Sequence, residues 1–206
     1  MLLHAAGPFT ESPRLPRPIS GQFAGASHGA LLVIGGSHFS KPPWYGGVKQ
    51  WADTIYVLAP PSRQWAVFHL GSPVAYGGSV SWRDAVYLAG GSDGGKHLRK
   101  TRRVEWLDGR PHITELPELP VALANCEAAR IGSRMYLFGG QEAPDSRSAS
   151  NRLFTLALDH PRAGWRELDP LPAAGRILPA FVAAGDSLYV FSGAALEPER
   201  RYLRDA

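Results

Sequence analysis

A six-residue phrase ending in paired glycines recurs along the chain, and its spacing restricts the fold more than any other feature. The phrase is Met135-Tyr136-Leu137-Phe138-Gly139-Gly140, with counterparts at Leu31-Leu32-Val33-Ile34-Gly35-Gly36 and Val86-Tyr87-Leu88-Ala89-Gly90-Gly91. A weaker copy stands at Leu188-Tyr189-Val190-Phe191-Ser192-Gly193. The closing glycines Gly36, Gly91, Gly140 and Gly193 are 55, 49 and 53 residues apart. Short strands repeating at about 50 residues mark the blades of a β-propeller.

Four apolar or aromatic residues favour an extended, packed segment, and the glycines after them permit positive φ and close approach of neighbouring backbone. In three copies a turn precedes the strand, at Arg83-Asp84, Gly132-Ser133 and Gly185-Asp186. Each turn joins it to an earlier segment, 77–82, 126–131 or 180–184, rich in small residues. Small side chains suit the innermost strand of a blade, where radially arranged sheets converge. Outer strands are expected at 54–58 and 65–70, at 103–107 and 112–116, and at 152–158 and 165–168. Trp65, Trp106 and Trp165 on these segments are expected to pack between blades. No strand-GxxxxGK[ST]-helix element accompanies the glycines, so they do not form a phosphate loop.

A chain of 206 residues with 44% hydrophobic content can bury a sizeable core, while 23 glycines and 18 prolines favour turns over long helices. The lone Cys126 excludes an intramolecular disulfide and matches no metal motif; on an inner strand it reads as a buried structural thiol. The formal charge is +4, and outside the basic run at 96–103 the positive residues are scattered. That pattern does not indicate nucleic-acid binding, and the run reads as a solvated loop. No 18-residue apolar segment is present, which argues against a membrane-spanning helix.

Residues 1–22 read as a proline-rich lead-in, and 23–206 as the propeller. The first ten residues have too short an apolar stretch and no basic start for a signal peptide, so neither export nor retention follows from them. The chain stops partway through the fourth blade, and six blades at this period need roughly 300 residues. The expectation is therefore an all-β, incomplete propeller of about three and a half blades of six, in which any activity is impaired because part of the central pocket is missing.

Candidate chemistry falls on the loops after the glycine pairs, because equivalent blade positions share one end of the channel. His38, Asp93, His97 and Glu142 on these loops form a polar ring on this reading, or else lie in solvent. No compact ligand spacing makes them a metal site. Trp44 and Tyr45 offer faces for stacking on a sugar, or pack their own proline-pinned loop. Arg176 and Asn125 stand at the entrances to inner strands at the same end. The fork of Arg176 suits a carboxylate, and bonding to neighbouring loop carbonyls is the equal alternative.

Several ordered phrases go beyond a generic repeat. Gly35-Gly36-Ser37-His38-Phe39, Pro43-Trp44-Tyr45-Gly46-Gly47, the segment 51–58, Gly90-Gly91-Ser92-Asp93-Gly94 with His97, and the segments 191–194 and 201–206 resemble the cyclically permuted mutarotase family of kelch-repeat proteins. That family is similar to the sialic acid mutarotases, or N-acetylneuraminate epimerases. The resemblance implies a six-bladed kelch propeller that interconverts anomers of an acidic sugar such as N-acetylneuraminate, with no metal or organic cofactor. It implies ring opening by proton exchange, for which Arg176 could hold the sugar carboxylate and His38, Asp93, His97 or Glu142 could move protons, while Asn125, Trp44 and Tyr45 stay the substrate contacts expected from their loop positions. The competing reading is a noncatalytic kelch module that uses the same loops to bind a protein or carbohydrate. A kelch oxidase is disfavoured, since no copper-ligand constellation accompanies Cys126.

Overall fold

A computed structural model describes residues 12–205. The stretch 1–10, read above for a signal peptide, lies outside them. The first unit runs through β1 (Phe23–Ser27), β2 (Ala30–Ile34), a ribbon of β3 (Ser37–Phe39) and β4 (Lys49–Trp51), then β5 (Thr54–Leu58) and β6 (Ala66–His69). Its antiparallel sheet has the order β1-β2-β5-β6. The second unit is β7 (Gly78–Trp82), β8 (Ala85–Ala89), β9 (Thr101–Leu107) and β10 (Arg110–Leu116), and the third is β11 (Ala124–Ile131), β12 (Arg134–Gln141), β13 (Leu153–Ala157) and β14 (Arg166–Leu168). Each is again a four-stranded sheet in sequential order. A fourth unit pairs β15 (Ala180–Ala184) with β16 (Ser187–Phe191) and carries a ribbon of β17 (Ala194–Ala195) and β18 (Arg201–Tyr202). The fold is the all-β arc of propeller blades expected from the repeat. Among the described residues no helix is long and apolar enough to cross a membrane.

Strand alternation decides which blade each side chain meets. Leu32 and Ile34 of β2 share a face with Val57 and Ile55 of β5, and this face packs on Val86, Leu88 and Val104 of the second blade. One blade on, Tyr87 and Ala89 meet Met135, Leu137, Phe154 and Leu156. In the third interface Phe138 and Ala129 meet Phe181, Leu188 and Val190. Complete burial of one such side chain stabilises by about 1.5–3 kcal/mol, so the three interfaces hold the sheets to one another. The corresponding forward face of the fourth unit, with Val182, Tyr189 and Phe191, is exposed.

The paired glycines fasten consecutive blades. Gly36, Gly91 and Gly140 donate to the carbonyls of Val74, Leu123 and Arg176 in the following blade, at 2.8, 2.7 and 2.8 Å. The glycine before each of them has φ of 63°, 69° and 75°. A Cβ at Gly35, Gly90 or Gly139 would stand 2.1, 2.5 or 2.7 Å from that same carbonyl oxygen. The first position of each pair thus requires glycine for contact as well as for conformation.

Two sequence expectations change. Trp106 and Trp165 pack at the blade interfaces, but the Trp65 indole donates to the carbonyl of Pro13 at 2.9 Å and meets the lead-in instead. The basic run at 96–103 is a solvated loop only in part: Lys96 and Arg99 are exposed, whereas 101–103 belong to β9. Arg102 is buried, donating to Glu115 at 2.8 Å and Ser72 at 2.8 Å, Arg99 donates to the Leu119 carbonyl at 2.7 Å, and Arg103 pairs with Glu105. Arg102 thereby ties β9 to β10, and Arg103 also donates to the Tyr87 hydroxyl of β8 at 3.1 Å.

Candidate functional site

At the entrance to each inner strand the chain turns through one residue at positive φ: Gly21 at 64°, Tyr76 at 65°, Asn125, already within β11, at 58°, and Leu178 at 53°. These four are joined head to tail. The amide of Tyr76 donates to the Gly21 carbonyl at 2.8 Å, Asn125 to Tyr76 at 2.7 Å, and Leu178 to Asn125 at 2.8 Å. The residue ahead of each (Ser20, Ala75, Ala124 and Ile177) bridges the residue after the glycine pair of its own blade (Ser37, Ser92, Gln141 and Ala194). Loops and strand entrances from all four units are thereby locked onto one rim.

A hollow of about 460 Å³ lies over this rim, a size in the usual range for small-molecule sites. Lys49, Trp51, Tyr76, Ser92, His97, Asn125, Gln141 and Arg200 line it, with Ile177 and Leu178 at one side. Among the described residues no carboxylate is in the lining. Lys49 and Arg200 have no acidic partner among the described residues. Lys49 Nζ sits 4.3 Å from the centre of the Tyr76 ring and 4.9 Å from that of Trp51. The Tyr76 hydroxyl is 2.7 Å from Ser37 Oγ.

Several polar atoms here lack partners. Trp51 Nε1 and both ring nitrogens of His97 are buried without a hydrogen bond, and a buried polar atom left unmatched is costly. Burial pushes the His97 imidazole below its ordinary pKa, against the opposing pull of the Asp93 charge. For Tyr76, burial opposes ionisation, but the nearby Lys49 ammonium and the Ser20 and Ser37 hydroxyls outweigh it and hold the phenol below its usual range. The hollow therefore offers cations, aromatic faces and unmatched hydrogen-bonding atoms to an anionic, polyhydroxylated guest.

Of the residues singled out from sequence, His97 and Asn125 line the hollow. Asp93 stands beside it with its Oδ1 accepting from the amides of Gly95 and Lys96, both at 2.9 Å, so it closes its own loop. Burial alone would raise that carboxyl, but the two amides and the Lys96 charge keep it low. His38 faces the lead-in, where Arg17 Nη1 donates to its Nε2 at 2.6 Å in a separate hollow. Glu142 lies over a third hollow and pairs with Arg152 at 3.0 Å. Trp44 and Tyr45 ride a 3₁₀ turn at 78% and 71% exposure, outside the lining. The expected ring of four therefore divides among different hollows, because the loops after the glycine pairs differ in length and fold back on separate partners.

Arg176 takes the second of its two expected roles, bonding to neighbouring loop carbonyls, rather than a place on a sugar. It is 1% exposed and forms a two-pronged pair with Asp205 at 2.9 and 2.7 Å, with further bonds to the carbonyls of Ala174 and Ser192, both at 3.0 Å. The hydrogen-bond pattern explains the difference. Arg176 corresponds to Val74 and Leu123, under the rim, whereas the counterpart of Asn125 is Leu178. Sequence reasoning missed Tyr76, Lys49 and Gln141. For Tyr76 the available signal was its place immediately before Gly77-Gly78, at the entrance to an inner strand like Asn125.

The rim and the glycine fastenings define a kelch-type β-propeller, and the comparisons agree. The chain overlays the solved structure of YjhT with a TM-score of 0.71 at 16% identity, over 87% of this chain and 60% of that one. It is 35% identical over 82 residues to a kelch domain-containing protein of Vibrio cholerae, and 34% identical over 77 residues to the N-acetylneuraminate epimerase of Haemophilus influenzae. These matches take in 40% and 37% of this chain but 21% and 19% of the relatives, so the matched segment spans about a fifth of each. No family model matches the chain.

Proposed function

We propose that the rim hollow receives an acidic sugar, N-acetylneuraminate or a close analogue, and exchanges its anomers. One observation carries this reading: a concave site has two cations, Lys49 and Arg200, and among the described residues no carboxylate in its wall. A sugar carboxylate supplies the missing charge, the faces of Trp51 and Tyr76 suit the apolar side of a sugar ring, and His97 and Gln141 can meet its hydroxyls. The relatives named as N-acetylneuraminate epimerase support the same substrate class. On this reading Lys49 and Arg200, rather than the internally paired Arg176, hold the carboxylate.

The test is exchange spectroscopy on N-acetylneuraminate with the purified chain. Faster interconversion of its two anomers than in buffer is expected, with no acceleration for a neutral hexose. Sugar binding without faster exchange would convert the site to that of a carbohydrate-binding module. No binding at all would remove the proposal.

A further inference from the structure

We infer that Tyr76 donates the proton that opens the sugar ring, with Lys49 stabilising the phenolate left behind; the inference rests on the hollow being an anomer-exchange site. Tyr76 is the rim residue of the second blade. Its backbone is fixed on both sides by the Gly21 and Asn125 bonds. The phenol ring lies so close over Gly21 that a Cβ there would stand 2.4 Å from it. A side chain held this firmly delivers its hydroxyl to one place, as proton transfer to a bound substrate demands.

The surroundings of that hydroxyl suit an acid that must become an anion for a moment. Ser37 Oγ is at 2.7 Å and Ser20 Oγ at 3.4 Å. Lys49 on β4 reaches over the ring from the first blade. His97 and Arg200 are the other titratable or charged groups in the wall, and among the described residues no side-chain carboxylate of the wall pairs with Lys49, whose ammonium therefore serves both the phenol and the sugar carboxylate. Burial raises the cost of the phenolate, while Lys49 and the two serines more than offset it.

The step balances without a co-reactant. A ring nitrogen of neutral His97 takes the proton of the anomeric hydroxyl, and the freed electron pair forms the carbonyl. The bond from the anomeric carbon to the ring oxygen breaks, and that oxygen takes the Tyr76 proton. Imidazolium, phenolate and open-chain sugar result. Rotation about the bond to the carbonyl carbon and closure on the other face reverse each transfer and restore both residues.

Rates of N-acetylneuraminate exchange against pH, measured for the wild-type chain and for Tyr76→Phe, His97→Gln and Lys49→Met, decide the matter. Tyr76→Phe should lower kcat about 100-fold with KM nearly unchanged. It should also abolish the alkaline limb of the profile, where wild-type activity falls as Tyr76 loses its proton. His97→Gln should abolish the acid limb, and Lys49→Met should move the alkaline limb to higher pH. A Tyr76→Phe protein that binds the sugar normally and keeps the wild-type rate, or keeps the alkaline limb, overturns the inference and leaves the proposed function standing. A wild-type chain that does not exchange the sugar removes both.

Discussion

The amide of Asn125 donates to the carbonyl of Tyr76 at 2.7 Å, and the two residues, 49 positions apart, occupy the same left-handed backbone conformation at successive blade entrances. Asparagine adopts that conformation readily, while tyrosine and leucine do so at a cost of roughly 1–2 kcal/mol. The bonds from Gly21 to Leu178 hold Tyr76 and Leu178 there. Tyr76 and Leu178 thus carry local backbone strain beside the candidate site, while the other residues of this kind, such as His28, Arg83, Asp84 and Asp108, sit in turns between strands.

Contact and conformation contribute separately at the glycines. Gly90 and Gly109 have similar φ, 69° and 74°, but a Cβ at Gly90 would stand 2.5 Å from the Leu123 oxygen while one at Gly109 meets nothing within 4 Å. Gly109→Ala should cost about 1 kcal/mol and Gly90→Ala about 2–4 kcal/mol, the excess coming from the displaced blade. Urea unfolding of both variants checks this. Equal losses would show that the fastening between blades adds nothing.

The blade pattern was legible because it is periodic. A strand before each glycine pair, small residues on the inner strand and outer aromatic segments all follow from local propensity and appear at the expected positions. The site was less legible, since it depends on which residue faces the rim, and a shift of two positions separates Arg176 from Leu178. Lys49 lies on a ribbon that the other blades do not copy in length, so no repeat predicted where its amine would go. Asp205 sits near the end of the chain with nothing in its neighbours to mark it as the partner of an arginine 29 residues away.

The Arg176–Asp205 pair anchors the last segment. Asp205→Asn leaves a buried guanidinium with weaker partners and should cost about 1–2 kcal/mol, reduced because the carboxylate side is half exposed. Arg176 holds the Asp205 carboxyl below its ordinary value. Its contribution to stability is therefore present above the unfolded-state pKa and is lost as pH falls through the folded one. Thermal unfolding from pH 6 down to pH 2 should show a loss in the wild type that is smaller in Asp205→Asn. Parallel curves would mean the pair contributes nothing.

Glu127 has the opposite sign. It lies on β11, turned with Phe138 toward the fourth unit, and burial pushes its carboxyl up. A carboxyl with a raised folded-state pKa favours the fold below the unfolded value and disfavours it as pH rises through the folded one. Glu127→Gln should therefore stabilise the chain at pH 7 and have little effect near pH 3. A loss of stability at pH 7 would show that the ionised carboxylate has a favourable contact there.

Cys126, on the same strand, faces the second blade within a fully apolar cluster. Burial first, and then the neighbouring Glu127 charge, push its thiol up to about 12. Thiolate is the reactive species, so a disulfide reagent at pH 8 should label the folded chain at the rate of unfolding and the unfolded chain at once. Fast labelling without denaturant would place the thiol at an accessible surface.

The charge of the hollow gives the sharpest test of its guest. Lys49 and Arg200 face a wall without carboxylates among the described residues, so a bound sugar carboxylate would meet two cations that need not leave any partner to receive it. Because the hollow is open to water, losing Lys49 should weaken N-acetylneuraminate by about 1–2 kcal/mol, roughly tenfold in Kd, and should leave a neutral sugar almost unaffected. Raising ionic strength should weaken acidic-sugar binding in the wild type and do so less in Lys49→Met, since screening acts on the charge that the variant lacks. Titration calorimetry with N-acetylneuraminate and a neutral hexose, at low and high salt, measures all four quantities. Equal losses for both sugars in Lys49→Met would show that the lysine shapes the hollow through Trp51 and Tyr76, and would leave Arg200 as the carboxylate's partner.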